Sequence, residues 1–249
     1  EMSDFVAEVA RACRRATEGR KLVVLFYGYT WEFASHRLGP ANSGHYGVGN
    51  LLRKADGAID VLCSPISYHR RICGSAPNMS AGETVMRHGI LWLNEDDSRT
   101  HLDLRSGTRM EGSAVDLDGA RRVLLRNTAQ AAIRGFGCWW MDLMGRGWYD
   151  SPELWDVQKA LMPVERALLG RERPYAPDVA LVLDEEQMIR QSAAEQDCDK
   201  ALGELREVAA RSSVPFGQYL RNVDREIPAK IVLDGSKPVT ATDIWDMAA

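Results

Sequence analysis

Three acidic residues and an arginine directly follow an apolar segment of the chain, GILWLN at residues 89–94. Glu95 is the first of them, and the others are Asp96, Asp97 and Arg99. A carboxylate at the end of a buried strand can act as a nucleophile when an arginine or other donors keep it ionised. The same acidic run also fits a solvated turn, and the pattern alone leaves both interpretations open.

A second carboxylate, Glu32, follows another apolar segment, KLVVLFYGY at residues 21–29. This acid either positions a substrate hydroxyl or pairs with nearby Arg37. The carboxyl ends of parallel strands meet at one edge of a sheet, where connecting loops converge. We therefore expect Glu32 and Glu95 to lie on one rim.

Aromatic and charged residues lie at or just after the ends of the apolar segments and are predicted to lie on the same rim. Trp139 and Trp140 fit either a stacking platform for a sugar ring or an ordinary core. Tyr68 and Arg70 fit either substrate contacts or common loop residues. Two further candidates complete the rim, Tyr29 and Asp142.

Several kinds of site are not expected. The five cysteines contain no C-x-x-C pair, and the five histidines show no zinc-ligand spacing, so neither disulfides nor a metal are predicted. Free thiols favour a reducing, cytoplasmic compartment. The glycines of segment 44–49 do not match the dinucleotide fingerprint, and we predict no cofactor.

The apolar segments that precede these residues are short and continuous, which is typical of parallel strands covered by helices. We predict strands over 21–29, 58–63, 89–94 and 135–143. Four helices are predicted around these strands. The first begins at Ser3, carries apolar Phe5, Val6, Val9 and Ala10, and ends at Gly19. The others are a helix after a Ser80–Glu83 capping box, the periodic segment 118–134, and a helix from Ser151-Pro152 to about Leu169.

A polar segment with two prolines, GRERPYAP at 170–177, predicts a linker. After it, strands are predicted at 178–184 and 229–235, with a long helical stretch over 185–211 between them. The expected organisation is a first α/β domain over residues 1–172 and an incomplete second α/β domain over 177–249.

The chain has 249 residues, a formal charge of −4 and 45% hydrophobic residues, an ordinary composition for a globular protein. This charge does not indicate a nucleic-acid partner, and no apolar run has the length of a membrane helix. The length equals that of one (β/α)8 barrel. However, four strand–helix units already occupy residues 21–170, so only half of a barrel is expected.

Four motifs resemble β-galactosidases of glycoside hydrolase family 42: FYGYTWEF with the following GH, IDVLCSPISYHRR, LWLNEDDSRTH and GCWWMDLMGRGWYDSPELW. They are similar to the fifth to eighth strands of that family's TIM barrel, and the segment from residue 177 is similar to the start of its flavodoxin-like domain. The resemblance implies a retaining two-carboxylate mechanism. Glu95 matches the nucleophile, and Tyr68, Arg70, Trp139 and Trp140 match sugar-site positions.

The family's acid/base glutamate belongs to a strand that has no counterpart here, which leaves Glu32 as the in-chain candidate for a second carboxylate. The expected function is retaining hydrolysis of β-galactosides or related β-glycosides, with low activity. The half-barrel is expected to pair with a copy of itself or with a missing N-terminal half. Two alternatives stay open: an inactive carbohydrate-binding or assembly module, and a flavodoxin-like flavin or nucleotide protein.

Overall fold

The computed structural model describes residues 2–31, 44–68, 74–106, 113–143, 145–186, 205–211, 214–221, 223–224, 226–229 and 231–234. It is an α/β protein. The elements in chain order are α1 (Met2–Ala16), β1 (Val24–Phe26), α2 (Val48–Ala55), β2 (Val61–Pro65), α3 (Gly82–Arg87), β3 (Leu91–Asp96), a 3-10 helix (His101–Ser106), α4 (Leu117–Arg134), β4 (Gly137–Trp140), α5 (Pro152–Leu169), β5 (Val179–Leu183), a helical segment over 205–211, β6 (Phe216–Leu220) and β7 (Ile231–Asp234).

The first four strands form a parallel sheet in the order β1-β2-β3-β4. In this sheet Phe26 pairs with Cys63, and Glu95 pairs with Trp139. The apolar runs predict burial on both faces, and β2 is buried throughout. For β1 and β4 this expectation is wrong, because these are the outer strands of the described sheet and are covered on fewer sides.

The last three strands form a second parallel sheet in the order β6-β5-β7. The sequence predicts only two strands here, and the prediction missed β6, FGQYL. Glycine and glutamine weaken its strand signal, because glycine supplies no side chain to a pleated surface. In the structure Gly217 fits closely, since a Cβ there would lie 2.8 Å from the Tyr219 ring.

The chain divides into two compact units. Unit 1 comprises residues 1–64, 78–92 and 176–249, and unit 2 comprises residues 65–77 and 93–175. The core of unit 2 includes Leu124, Trp148 and Leu154, from α4, the segment after β4, and α5. A smaller cluster in unit 1 contains Val182 and Tyr219 from the second sheet. The predicted division into residues 1–172 and 177–249 stays a prediction.

Helix α1 is present, but the predicted apolar face is wrong in part. Phe5 and Val9 are exposed, whereas Ala7 and Ala10 are fully buried inside unit 1, to which α1 belongs. Small alanines let the helix approach α2 closely, and polar bonds complete the contact. Asn50 donates to the Ser3 hydroxyl at 2.7 Å.

Of the four predicted helix starts, those of α4 and α5 are confirmed, and those that use Ser3 and Ser80 as caps are wrong. Helix α1 already includes Met2, so Ser3 lies inside it. The Asp116 carboxylate accepts from the Gly119 N–H at 2.7 Å at the start of α4, and Pro152 begins α5 after Ser151. The Ser80–Glu83 capping box does not form, because α3 begins after Ala81 without a side-chain cap. Among the described residues, no helix is long and apolar enough to cross a bilayer.

Candidate functional site

Glu95 lies at the carboxyl end of β3 and is 5% exposed. Its main-chain carbonyl accepts from the Ile66 N–H at 3.0 Å, which ties the strand to the segment following β2. Successive side chains of a strand point to opposite faces, so Glu95 and Asp96 are presented on different sides of the sheet.

The face of Asp96 is turned toward helix α4. Its carboxylate accepts from the Asn127 side-chain amide at 2.9 Å and from the Ser98 N–H at 3.1 Å. Trp140 pairs with Asp96 in register, and its indole N–H donates to the Thr128 hydroxyl in the same helix at 3.1 Å. The face of Glu95 is therefore the one that points away from α4.

The two tryptophans have different environments. Trp139 pairs with Glu95, shares its face and is 41% exposed. Trp140 instead packs on the helix side, with ring centroids 5.7 Å from Tyr149 and 5.2 Å from Trp155. Of this pair, only Trp139 is brought onto the same strand face as Glu95.

Tyr68 and Arg99 also belong to unit 2. Tyr68 is exposed just beyond the end of β2, two residues after the main-chain bond between Ile66 and Glu95. The Arg99 guanidinium lies 5.5 Å from the centroid of the Trp148 ring, an arrangement that supports the loop following β3. Arg70 lies outside the described residues.

Asp142 organises the loop that follows β4. Its carboxylate accepts from three main-chain N–H groups: Arg146 at 2.9 Å, Gly147 at 2.5 Å and Trp148 at 3.1 Å. These three hydrogen bonds give Asp142 a structural role in holding the loop. The predicted contact of Asp142 with substrate stays a prediction.

Tyr29, the described candidate of the first predicted strand, belongs to unit 1. Tyr29 is buried and stacks on His45 with ring centroids 3.8 Å apart. Burial lowers the pKa of His45 below its ordinary value. Glu32 lies outside the described residues.

The glycine-rich segment of unit 1 leads into helix α2, and an internal carboxylate lies at the start of that helix. Glu185 accepts from the Val48 N–H at 3.1 Å and from the Gly49 N–H at 3.0 Å. A helix N-terminus is a natural anion site. In this protein the Glu185 carboxyl, which follows β5, occupies that position.

Sequence reasoning missed Asn127 and Tyr149. Asn127 is buried on the face of α4 that also carries Val123, Leu124 and Ala131, so a polar residue at an apolar position was the available signal. The Tyr149 hydroxyl lies 2.8 Å from the Asp96 carbonyl oxygen and 3.1 Å from that of Ser98. Both residues thus contact the end of β3 from the helix side.

A buried carboxylate beside a half-exposed tryptophan can attack or stabilise an electrophilic carbon held against the indole. In the described part of the chain, no group of three or more histidine, cysteine or acidic side chains is arranged to hold a metal ion. No protein-family model, curated protein or solved structure significantly matches the chain.

Proposed function

We propose that this protein is a glycoside hydrolase of the retaining type, acting on β-galactosides or related β-glycosides. The observation that carries the proposal is the pairing of Glu95 with Trp139 on one face at the carboxyl ends of two parallel strands. Sugar rings present an apolar face that stacks on tryptophan, and a strand-end carboxylate beside it is suited to attack the anomeric carbon.

The finer fold that we propose is half of a (β/α)8 barrel followed by part of a flavodoxin-like domain. Four parallel strands in sequential order, joined by helices, are the arrangement of consecutive barrel units. In the second sheet the first strand along the chain lies centrally, in the order 2-1-3. This order agrees with the first three strands of a flavodoxin-like sheet.

In the proposed mechanism a Glu95 carboxylate oxygen attacks the anomeric carbon. The bond from this carbon to the leaving oxygen breaks as the glycosyl ester forms, and the leaving oxygen takes a proton. Water then hydrolyses the ester and restores the carboxylate. A proton donor contributes about 10²–10⁴ in rate, and retaining enzymes place it about 5–5.5 Å from the nucleophile. Glu32 is the proposed in-chain donor, and we expect low activity.

The substitution Glu95→Gln tests the proposal because it keeps the size of the side chain and removes the nucleophile. We expect hydrolysis of an aryl β-galactoside to fall by at least about 10³-fold, with unchanged circular dichroism. Glu165→Gln, the same charge change on α5, is the control and should retain full turnover. Equal turnover in Glu95→Gln and wild type would remove Glu95 from the mechanism.

A second candidate function is carbohydrate binding without hydrolysis. It is favoured because two carboxylates near Glu95, those of Asp96 and Asp142, already accept hydrogen bonds from protein N–H groups and are not placed as proton donors to a leaving group. Calorimetry with galactosides separates the two functions, because a binding module releases heat on sugar addition and forms no product.

We further propose that the half-barrel associates with a copy of itself or with a complementary N-terminal half. Support comes from exposed apolar side chains on an outer strand, Val24 and Phe26 on β1. A cytoplasmic location is proposed as well, supported by the free thiols of Cys13, Cys63 and Cys138.

A further inference from the structure

We infer that Asn127 is a positioning residue for Glu95 and acts through Asp96. The inference rests on the proposed function and adds to it a residue on helix α4, on the opposite face of the sheet from the proposed nucleophile. Asn127 does not point to the substrate side, since its amide donates to the Asp96 carboxylate at 2.9 Å.

Asp96 is fully buried, and both of its carboxylate oxygens accept hydrogen bonds. One oxygen accepts from Asn127 and the other from the Ser98 N–H. The Asn127 amide also lies 3.3 Å from the Ser98 hydroxyl oxygen. Asn127 therefore holds both the residue after Glu95 and the turn that follows it.

Asn127 is itself held in one orientation. Its side-chain carbonyl accepts from the Arg126 guanidinium at 2.9 and 3.0 Å, and a further Arg126 nitrogen donates to the Gly74 carbonyl at 2.6 Å. These bonds direct the Asn127 amide N–H groups toward Asp96. The chain of contacts thus runs from the segment after β2, through α4, to the end of β3.

The main chain at Asp96 is held as well. Its carbonyl accepts from the Met141 N–H at 2.9 Å and from the Tyr149 hydroxyl at 2.8 Å. These two bonds fix the peptide between Asp96 and Asp97. The peptide that joins Glu95 to Asp96 is fixed by its own carbonyl, that of Glu95, which accepts from the Ile66 N–H at 3.0 Å. The main chain on both sides of Asp96 is therefore held, and it sets the direction in which the Glu95 side chain leaves β3.

Nucleophilic attack requires the carboxylate oxygen to lie about 3–3.5 Å from the anomeric carbon, and a displacement of about 1 Å can cost about 10²-fold in rate. Loss of the Asn127 amide leaves the buried Asp96 carboxylate short of a donor, and β3 shifts to find another. We therefore expect an effect on the chemical step and little effect on sugar binding.

The test compares Asn127→Ala with Gln130→Ala in the full chain, using hydrolysis of an aryl β-galactoside and a crystal structure of each variant. Gln130 is also on α4 and donates to the Ser75 carbonyl at 2.8 Å, so its variant loses a comparable bond that does not reach β3. We expect Asn127→Ala to lower kcat by about 10- to 100-fold with KM within about threefold, and to displace the Glu95 carboxylate. Gln130→Ala should leave kcat, KM and the position of the Glu95 carboxylate unchanged.

The exchange of both partners, Asp96→Asn combined with Asn127→Asp, keeps one amide-to-carboxylate bond between β3 and α4. We expect it to restore kcat to within about threefold of wild type, whereas a role that depends only on stability predicts additive losses. If Asn127→Ala does not fold, Asn127→Ser replaces it, because a serine hydroxyl is too short to reach Asp96.

The two proposals fail in different ways. A wild-type chain without hydrolysis refutes the proposed function, while the position of the Glu95 carboxylate in the variant structures still decides the role of Asn127. An active wild type with unchanged kcat in Asn127→Ala, or a Glu95 carboxylate that superposes on its wild-type position, overturns the inference.

Discussion

At the scale of single residues, two adjacent tryptophans have different environments. Trp139 is on the strand face of Glu95, half-exposed, while Trp140 packs among Thr128, Tyr149 and Trp155. The sequence presents them as one pair, because alternation along a strand becomes informative only when the covered face is known.

We predict that Trp139→Ala weakens galactoside binding while lowering the free energy of unfolding by less than about 1 kcal/mol. Trp140→Ala should lower it by about 2–4 kcal/mol, because a large ring packed against the core is lost. Urea denaturation and calorimetric titration measure the two effects. Similar stability losses in both variants would contradict the assigned faces.

At the scale of elements, side chains of α3 take the place of a neighbouring strand beside β6. Glu83 accepts from the Gln218 N–H at 2.8 Å, and the Thr84 hydroxyl accepts from the Leu220 N–H at 2.9 Å. These bonds satisfy the outer edge of a strand that pairs with β5 on its other side. Glu83 thus stabilises the sheet edge and does not cap its own helix.

The substitution Glu83→Ala should cost about 1–3 kcal/mol in the free energy of unfolding, because a buried N–H loses its acceptor. Glu83→Gln retains an acceptor oxygen and should cost less. In the described residues the buried Ser80 hydroxyl has no hydrogen-bond partner, so Ser80→Ala should cost close to nothing. A capping box would instead make Ser80→Ala lose about 1 kcal/mol, and chemical denaturation distinguishes the two.

Helix α2 and Glu185 predict a dependence of stability on pH. Burial raises the pKa of Glu185 above its ordinary value of 4.5, against the opposing effect of the N–H groups of α2. The folded protein therefore keeps this proton at pH values where the unfolded chain has released it. The free energy of unfolding should fall as pH rises from about 4.5 toward the raised pKa, and then level off.

Glu185→Gln removes this contribution, so the stability difference between wild type and variant should change across that pH range. Glu186→Gln makes the same charge change at the exposed neighbouring position and should leave the pH profile of stability unaltered. Parallel profiles for wild type and Glu185→Gln would mean that the pKa of Glu185 is not raised.

Prediction from sequence succeeded where local signals decide the structure. The apolar runs predicted β2 and β3, the periodic segment 118–134 predicted α4, and Ser151-Pro152 predicted the start of α5. It failed where tertiary contacts decide. The buried face of α1 depends on how closely two helices approach, the role of Glu83 depends on a strand 135 residues away, and β6 forms despite its glycine.

The candidate site divides in the same way. Glu95 and Trp139 can be predicted from the sequence because they lie at the carboxyl ends of apolar strands. The contributions of Asn127 and Tyr149 are not visible, since helix α4 and the segment after β4 reach the end of β3 only in the folded chain.

At the scale of the whole molecule, the proposed half-barrel predicts self-association. Exposed apolar side chains on the outer strand β1 favour burial against another chain. We expect light scattering to give a mass of at least a dimer, and Phe26→Glu on β1 to shift it toward monomer. Glu153→Lys, at an exposed position of α5, is the control and should leave the mass unchanged. A monodisperse wild-type monomer that binds no apolar dye would refute the association.

The central claim is that Glu95 forms a covalent bond to the sugar. An activated 2-deoxy-2-fluoro-β-galactoside slows hydrolysis of the glycosyl ester, so the intermediate accumulates and is detected by intact-mass spectrometry and peptide mapping. We predict a mass increase of one fluorosugar per chain, located at Glu95 and absent in Glu95→Gln. A wild-type chain that hydrolyses galactosides but remains unlabelled, or is labelled at another residue, would contradict the claim.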